Sequence, residues 1–312
     1  MAFCLLALQC AGRLEDVPPS IQFYLEDGIT HVTKGVPYTG GFPLDKKLEL
    51  IAYQYDSPGI LPSAWNLYTE EDDGRPMAYD SDAGRWLPTP DLYFPGSGEG
   101  FLRFFAFGPY DPDSEEEPVT GISAKEGAAP KLSYRVPSAI AHQTGLLVAD
   151  SQERYYPPRL EAMSVPLSLR HVLSGVRFAV YKEFKLISVT VSGVYDQGVY
   201  DMYSGSWSEY GKFTETPSYT IVIDDYAEDM VPLGAEYDQT APRFTLMMIP
   251  QRLPAEARIS VQLEGEDDPR IIDVSGQLWE KGKLVTYIIA DEYAFFRISV
   301  GDYPTNTENE KW

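Results

Sequence analysis

Apolar residues recur at every second position along most of this chain, and that period restricts the fold more than any other feature. In Arg258-Ile259-Ser260-Val261-Gln262-Leu263 the aliphatic side chains fall on one face and the polar ones on the other. Ile187-Ser188-Val189-Thr190-Val191 and Phe296-Arg297-Ile298-Ser299-Val300 repeat the pattern. Phe101 to Phe107 is apolar at both parities around Arg103, as expected of a strand covered on both sides. No stretch keeps a 3.6-residue period for three turns. The nearest helical candidate, Ala124 to Ala129, is undermined by Gly127 and Pro130. With 25 Gly and 25 Pro to punctuate the strands, the chain is expected to be all-β and built of sandwiches rather than βαβ units.

Seven strands are expected before residue 183: Ile21–Leu25, Leu48–Tyr55, Pro76–Tyr79, Phe101–Phe107, Lys131–Val136, Leu146–Ala149 and Val165–Tyr181. In the last of these the apolar phase changes at Ser174-Gly175, which predicts a bulge. Seven more follow: Ile187–Val194, Gly198–Tyr203, Tyr219–Ile223, Phe244–Ile249, Ile259–Leu263, Leu284–Ala290 and Phe296–Val300. The economical organisation is two tandem seven-stranded β-sandwiches, residues 13–183 and 184–312, preceded by a targeting remnant at 1–12.

Charge narrows the partners. Lys and Arg total 25 against 47 Asp and Glu, a net charge of -22, which repels nucleic acid and anionic lipid. Both cysteines lie in the first ten residues, so no disulfide framework is expected. The apolar run Ala2 to Leu8 is too short to span a bilayer, which takes about 20 apolar residues. It fits the end of a lipoprotein signal, with Cys10 as the acylated residue, or an ordinary secretory core. Membrane contact is expected only through that lipid.

Chemistry-bearing constellations are missing. His31, His142 and His171 are scattered, no Gly-x-Ser-x-Gly elbow occurs, and no glycine-rich loop opens a helix. Acidic runs at Glu70–Asp73, Asp111–Glu117 and Glu264–Asp268 lack calcium-loop spacing and suit solvated hairpin tips. No catalytic residue, cofactor or metal is expected. Trp65, Trp86, Trp207 and Trp279 offer a carbohydrate platform if exposed, or core anchors if not.

Strand edges are the remaining candidates. The first strand, with Ile21, Phe23 and Leu25 on one face, precedes a turn-rich stretch from Glu26 to Lys47. Within it, Thr33-Lys34-Gly35 offers a basic site for a trypsin-like protease at Lys34. A strand that can be cut loose leaves a groove able to accept another.

The chain resembles the fimbrillin, or Mfa-like, surface pilus subunits of Bacteroidales. The resemblance rests on Thr33-Lys34-Gly35, Leu50-Ile51-Ala52-Tyr53, Trp86-Leu87-Pro88, Leu102-Arg103-Phe104-Phe105-Ala106-Phe107-Gly108-Pro109, Leu146-Leu147-Val148-Ala149-Asp150 and Val165 to Ser174. It continues through Val191-Ser192-Gly193-Val194, Gly198-Val199-Tyr200-Asp201, Ile249-Pro250-Gln251, Trp279, Gly282-Lys283 and Thr286-Tyr287. It implies two transthyretin-like sandwiches, export as a lipoprotein, and display in a fimbrium on the outer membrane. It also implies polymerisation with other fimbrial subunits by donor strand exchange, for cell adhesion. A protease would release Ile21–Leu25 by cutting at Lys34, and a strand carrying Phe296, Ile298 and Val300 would fill a neighbour's groove. If that strand instead belongs to its own domain, the resemblance implies an anchor or tip subunit. The rival expectation is a glycan-binding surface lipoprotein contacting host or bacterial receptors. An enzyme ranks last.

Overall fold

The computed structural model describes residues 20–26, 31–33, 36–38, 42–95, 100–156, 164–180, 186–222, 245–290 and 295–302. Among them the protein is all-β, with two short 3-10 turns at Pro62–Ala64 and Ile140–His142. The stretch 124–129, whose helical reading Gly127 and Pro130 undermine, is a turn: Gly127 sits at φ +72°, outside the helical region.

Among the described residues the largest sheet has ten strands. Its path runs Ser164–Leu167, Gln22–Leu25, Arg85–Pro88, Arg75–Asp80, Leu48–Tyr55, Gly100–Gly108, Leu147–Asp150 and Arg170–His171, with Asn66–Leu67 and Arg154–Tyr156 beside it. The central pair, Leu48–Tyr55 and Gly100–Gly108, is antiparallel, in register from Glu49↔Phe107 to Tyr55↔Phe101. Because side chains alternate across a strand, this pair feeds two cores. Leu48, Leu50, Ala52, Leu102, Phe104 and Ala106 join Ile21, Phe23, Met77, Trp86, Val165 and Leu167 in one. Ile51, Tyr53, Tyr55, Phe105 and Phe107 belong to the other, which extends through Tyr134, Tyr200 and Trp279 to Tyr287. The sheet curls over the first core: the Phe23 ring lies 5.1 Å from that of Phe104, edge to face.

Three four-stranded sheets complete the larger core. Val119–Ser123, Lys131–Arg135, Gln197–Asp201 and Ser206–Gly211 form one. Leu246–Met248, Ser174–Val180, Lys283–Ala290 and Phe295–Asp302 form another. Ser218–Val222, Leu186–Ser192, Arg258–Leu263 and Arg270–Asp273 form the third. The ladder Lys131↔Asp201 to Arg135↔Gln197 crosses residue 183, so the hydrogen-bond network is continuous there.

The expected long strand at 165–181 is three strands in three places. Ser164–Leu167 pairs with the first strand, Arg170–His171 with Leu147–Asp150, and Ser174–Val180 with the sheet containing Leu246–Met248 and Lys283–Ala290. The phase change at Gly175 is therefore a change of sheet, and no bulge is needed.

The segments around Gln251 and Trp279 hold this scaffold together. The Gln251 amide is buried and fully engaged: Oε1 accepts the Tyr195 N–H at 2.8 Å, and Nε2 donates to the carbonyls of Tyr195 and Ile249 at 2.9 and 3.1 Å. Trp279 Nε1 donates to the Tyr287 hydroxyl at 3.0 Å, and that hydroxyl donates to Gln277 Oε1 at 2.8 Å. Polar groups satisfied this way can be buried at little cost. One glycine is equally committed. Gly193 has φ +72°, and a Cβ there would lie 2.3 Å from the Glu256 carbonyl oxygen. Gly193→Ala combines left-handed strain with overpacking against backbone, so it is expected to cost about 3 kcal/mol in urea unfolding. A loss below about 1 kcal/mol contradicts the close approach.

Candidate assembly site

The first strand lies inside the ten-stranded sheet. On one side it runs parallel to Ser164–Leu167, in register from Gln22↔Ser164 to Leu25↔Leu167. On the other it meets Arg85–Pro88 at Phe23↔Trp86 alone. Beyond the ladder, Ile21 donates its N–H to the Leu92 carbonyl at 2.7 Å and Glu26 to that of Leu167 at 3.1 Å. Ile21 and Phe23 are wholly buried, and Leu25 is half-buried against the same core. Phe42 and Trp86 close the wall beside them, ring to ring at 5.4 Å. Tyr24 points outward, with the Arg85 guanidinium 6.0 Å from its ring. The alternation of apolar and polar residues thus identifies the inward face of this strand.

What the sequence does not disclose is the neighbour. Ser164–Leu167 lies about 140 residues away, and its pairing is parallel, which no turn signal announces.

The other assembly residues fall differently. Cys10 and Lys34 lie outside the described residues. The strands on either side of Lys34, His31–Thr33 and Val36–Tyr38, pair with each other. The strand carrying Phe296, Ile298 and Val300 is antiparallel to Lys283–Ala290 over eight positions, Lys283↔Asp302 to Ala290↔Phe295. It is the outermost strand of its sheet.

The expected carbohydrate platform is not formed by the tryptophans. Trp65, Trp86 and Trp279 are core residues, and only Trp207 is partly exposed, with Nε1 donating to the Val172 carbonyl at 2.7 Å. The acidic runs act as turn caps and pair acceptors. Glu117 accepts the N–H groups of Asp111 and Val119 at 2.9 and 3.1 Å, Glu116 pairs with His142 at 2.8 Å, and Glu70 pairs with Arg75 at 2.8 Å. Among the described residues no group of three or more His, Cys, Asp or Glu is placed to hold a metal. No helix among them is long and apolar enough to cross a membrane.

Two charged groups break the apolar rule of the central strands, and alternation alone does not say how either is accommodated. Arg103 is 7% exposed and donates from Nε to Asp150 Oδ1 at 2.8 Å and from Nη2 to Oδ2 at 2.5 Å. Glu49 is 3% exposed; burial, then the charges of Asp73 and Glu70, push its carboxyl up to about 8. Its side chain lies across Gly74, where a Cβ would come within 2.5 Å of Glu49 Cγ.

Sequence comparison supplies the family. The profile of the fimbrillin-like family matches residues 63–290, more than half of the chain. This chain belongs to the fimbrillin-like family. It is accordingly a fimbrial, cell-surface protein that assembles with other fimbrial subunits.

Solved structures carry the same fold. A fimbrial protein from Bacteroides vulgatus superposes with a TM-score of 0.59 at 13% identity, covering 92% of this chain and 98% of that one. A protein described as a candidate cell adhesion protein of Bacteroides ovatus gives 0.57 at 15% identity, covering 92% and 99%. A third, similarly described, from Bacteroides uniformis gives 0.53 at 13%, covering 89% and 99%. At such identities the likeness is one of fold. Comparison with curated protein sequences finds no match.

Proposed function

We propose that this fimbrillin-like chain is a non-enzymatic subunit that accepts a strand from a neighbour in place of its own first strand. The observation that carries this reading is the internal position of Gln22–Leu25 between two other strands. Loss of an edge strand only shortens a sheet. Loss of this one opens a slot, bounded by the free edge of Ser164–Leu167 and floored by Phe104 and Trp86. Refilling it buries two large apolar side chains, at about 1.5–3 kcal/mol each, and restores ladder hydrogen bonds at about 1 kcal/mol net each. A donor strand bound on those terms leaves slowly.

Release would follow cleavage at Lys34, with the mature chain held at the outer membrane by lipid on Cys10 until then. The last strand, with Phe296, Ile298 and Val300, is the donor that family resemblance implies. Its eight-position pairing within its own sheet favours the end of the filament where a strand is accepted and none is donated. We also propose two β-sandwich domains as the family's arrangement, with Ser174–Val180 already in the second and the ladder Lys131–Arg135 to Gln197–Asp201 joining the two across residue 183.

The test is direct. Purified protein is treated with a trypsin-like protease and offered a synthetic peptide spanning the last strand of a stalk subunit of the same fimbrium. A complex that survives unheated detergent electrophoresis is expected only after cleavage, and not with the uncut protein given the same peptide. Cleaved protein that captures no strand sinks the proposal.

A further inference from the structure

A cleft of about 740 Å³ borders the end of the first strand, where the two cores meet, with Glu26 and Pro166 in its lining. Its walls are the end of the strand Leu147–Asp150 and the loop after it, the crossover 166–172, the turn 200–205 and the turn at Lys281-Gly282. Acids outnumber bases nearly two to one in this chain, yet the cleft gathers Arg154, Arg170 and Lys281.

Two acids share the cleft, and of these Asp150 is paired with a cation. Asp150 takes Arg103 on both oxygens, as well as the N–H and Nε2 of Gln152 at 2.9 and 3.0 Å. Glu26 accepts the hydroxyl of Ser168. The cations are not matched in the same way. Among the described residues the Arg170 side chain makes no ion pair or hydrogen bond, and it is exposed. Arg154 Nε is buried without an acceptor. Lys281 Nζ donates only to a neutral carbonyl, that of Gly205, and sits 5.6 Å from the Tyr200 ring. Burial and the nearby Arg170 both hold its amine below the ordinary lysine range. Two cations that line one cleft, neither paired with an acid, make a place where an oxyanion relieves repulsion. Tyr203, 38% exposed in the same lining, packs against Arg103 and Trp65 and adds its exposed part as an aromatic contact for a sugar ring.

We propose that this cleft binds an acidic saccharide, its carboxylate or sulfate held by Arg170 and Lys281 with Arg154 completing the cationic lining. The site borders the first-strand slot through Glu26 and Pro166, so its test uses the chain with that strand in place. It also differs from the tryptophan platform, whose rings are in the core.

Calorimetric titration of the intact, uncleaved chain with trigalacturonate is the test, with maltotriose as the neutral control and sodium sulfate as the free anion. Saturable binding of trigalacturonate is expected, weakening as salt rises, with none for maltotriose. Arg170→Gln removes an exposed side chain with no partner, so it is expected to fold as the parent does and to bind at least tenfold more weakly. Lys281→Gln is expected to act in the same direction. The proposal is overturned if trigalacturonate does not bind, if Arg170→Gln binds it as the parent does, or if sulfate alone binds as tightly as the saccharide.

Discussion

Arg103→Met is expected to lower stability by about 3–5 kcal/mol, the range for breaking a buried ion pair from one side. The cause is position. Arg103 lies in the central strand Gly100–Gly108, opposite Tyr53, on the face that meets the larger core. Its guanidinium is 4.8 Å from the ring of Tyr203 and 5.4 Å from those of Trp65 and Phe105. Tyr203 belongs to the turn joining Gln197–Asp201 to Ser206–Gly211, so this one side chain fastens a later hairpin onto the first sheet. Methionine keeps the stem and loses both the bidentate bond and the cation–ring contacts. Asp150 is then left with only the two Gln152 donors in a site where its side chain is 17% exposed. Asp150→Leu leaves the guanidinium stranded and is expected to cost a similar amount. The double variant removes both charges, and its loss is expected to be well below the sum of the singles. Urea unfolding of the four proteins measures that coupling. Additive losses, or a single loss under about 1 kcal/mol, would show that the pair is no more than a surface contact.

Alternation made much of this architecture legible before any coordinates. It located the central strands, their two apolar faces, and Arg103 as the exception between them. It also picked out Ile21, Phe23 and Leu25 as one face of the first strand. A period of two, however, reports faces and says nothing about neighbours. That is why 165–181 read as a single bulged strand: three short strands in different sheets produce the same apolar record as one strand with an insertion. Parallel pairing of the first strand with Ser164–Leu167 was hidden for the same reason. The short strands Val119–Ser123 and Ser206–Gly211 escaped because each carries little apolar signal; the second is an exposed hairpin arm. Tryptophans were ambiguous because packing and display use the same residue, and only the three-dimensional burial of Trp65, Trp86 and Trp279 separates the two. The cationic cleft was invisible because Arg154, Arg170 and Lys281 come from distant segments that the crossover brings to one wall.

Glu49→Gln is expected to make the protein more stable in mild alkali and to flatten its dependence on pH. Glu49 occupies a central strand position between Pro76 and Phe107, is almost fully buried, and faces Asp73 and Glu70 across Gly74. In the folded protein its carboxyl titrates at about 8, against an ordinary value of 4.5. Between those values the folded state holds a proton that the unfolded state has released. Stability from this group is therefore fully present below pH 4.5, falls as pH rises through the window, and is lost above pH 8. The shift corresponds to a swing of about 5 kcal/mol at most. Lys47, whose charge favours the ionised form, moderates it. Glutamine has the same shape and never ionises, so the variant avoids placing a charge in the core. Near pH 4 the two proteins are expected to unfold at similar urea concentrations, and near pH 9 the variant is expected to be more stable by several kcal/mol. Unfolding midpoints of both proteins from pH 4 to pH 9 decide it. Parallel curves would mean that the Glu49 carboxylate keeps enough solvent or partner to ionise normally, and that the central sheet tolerates its charge.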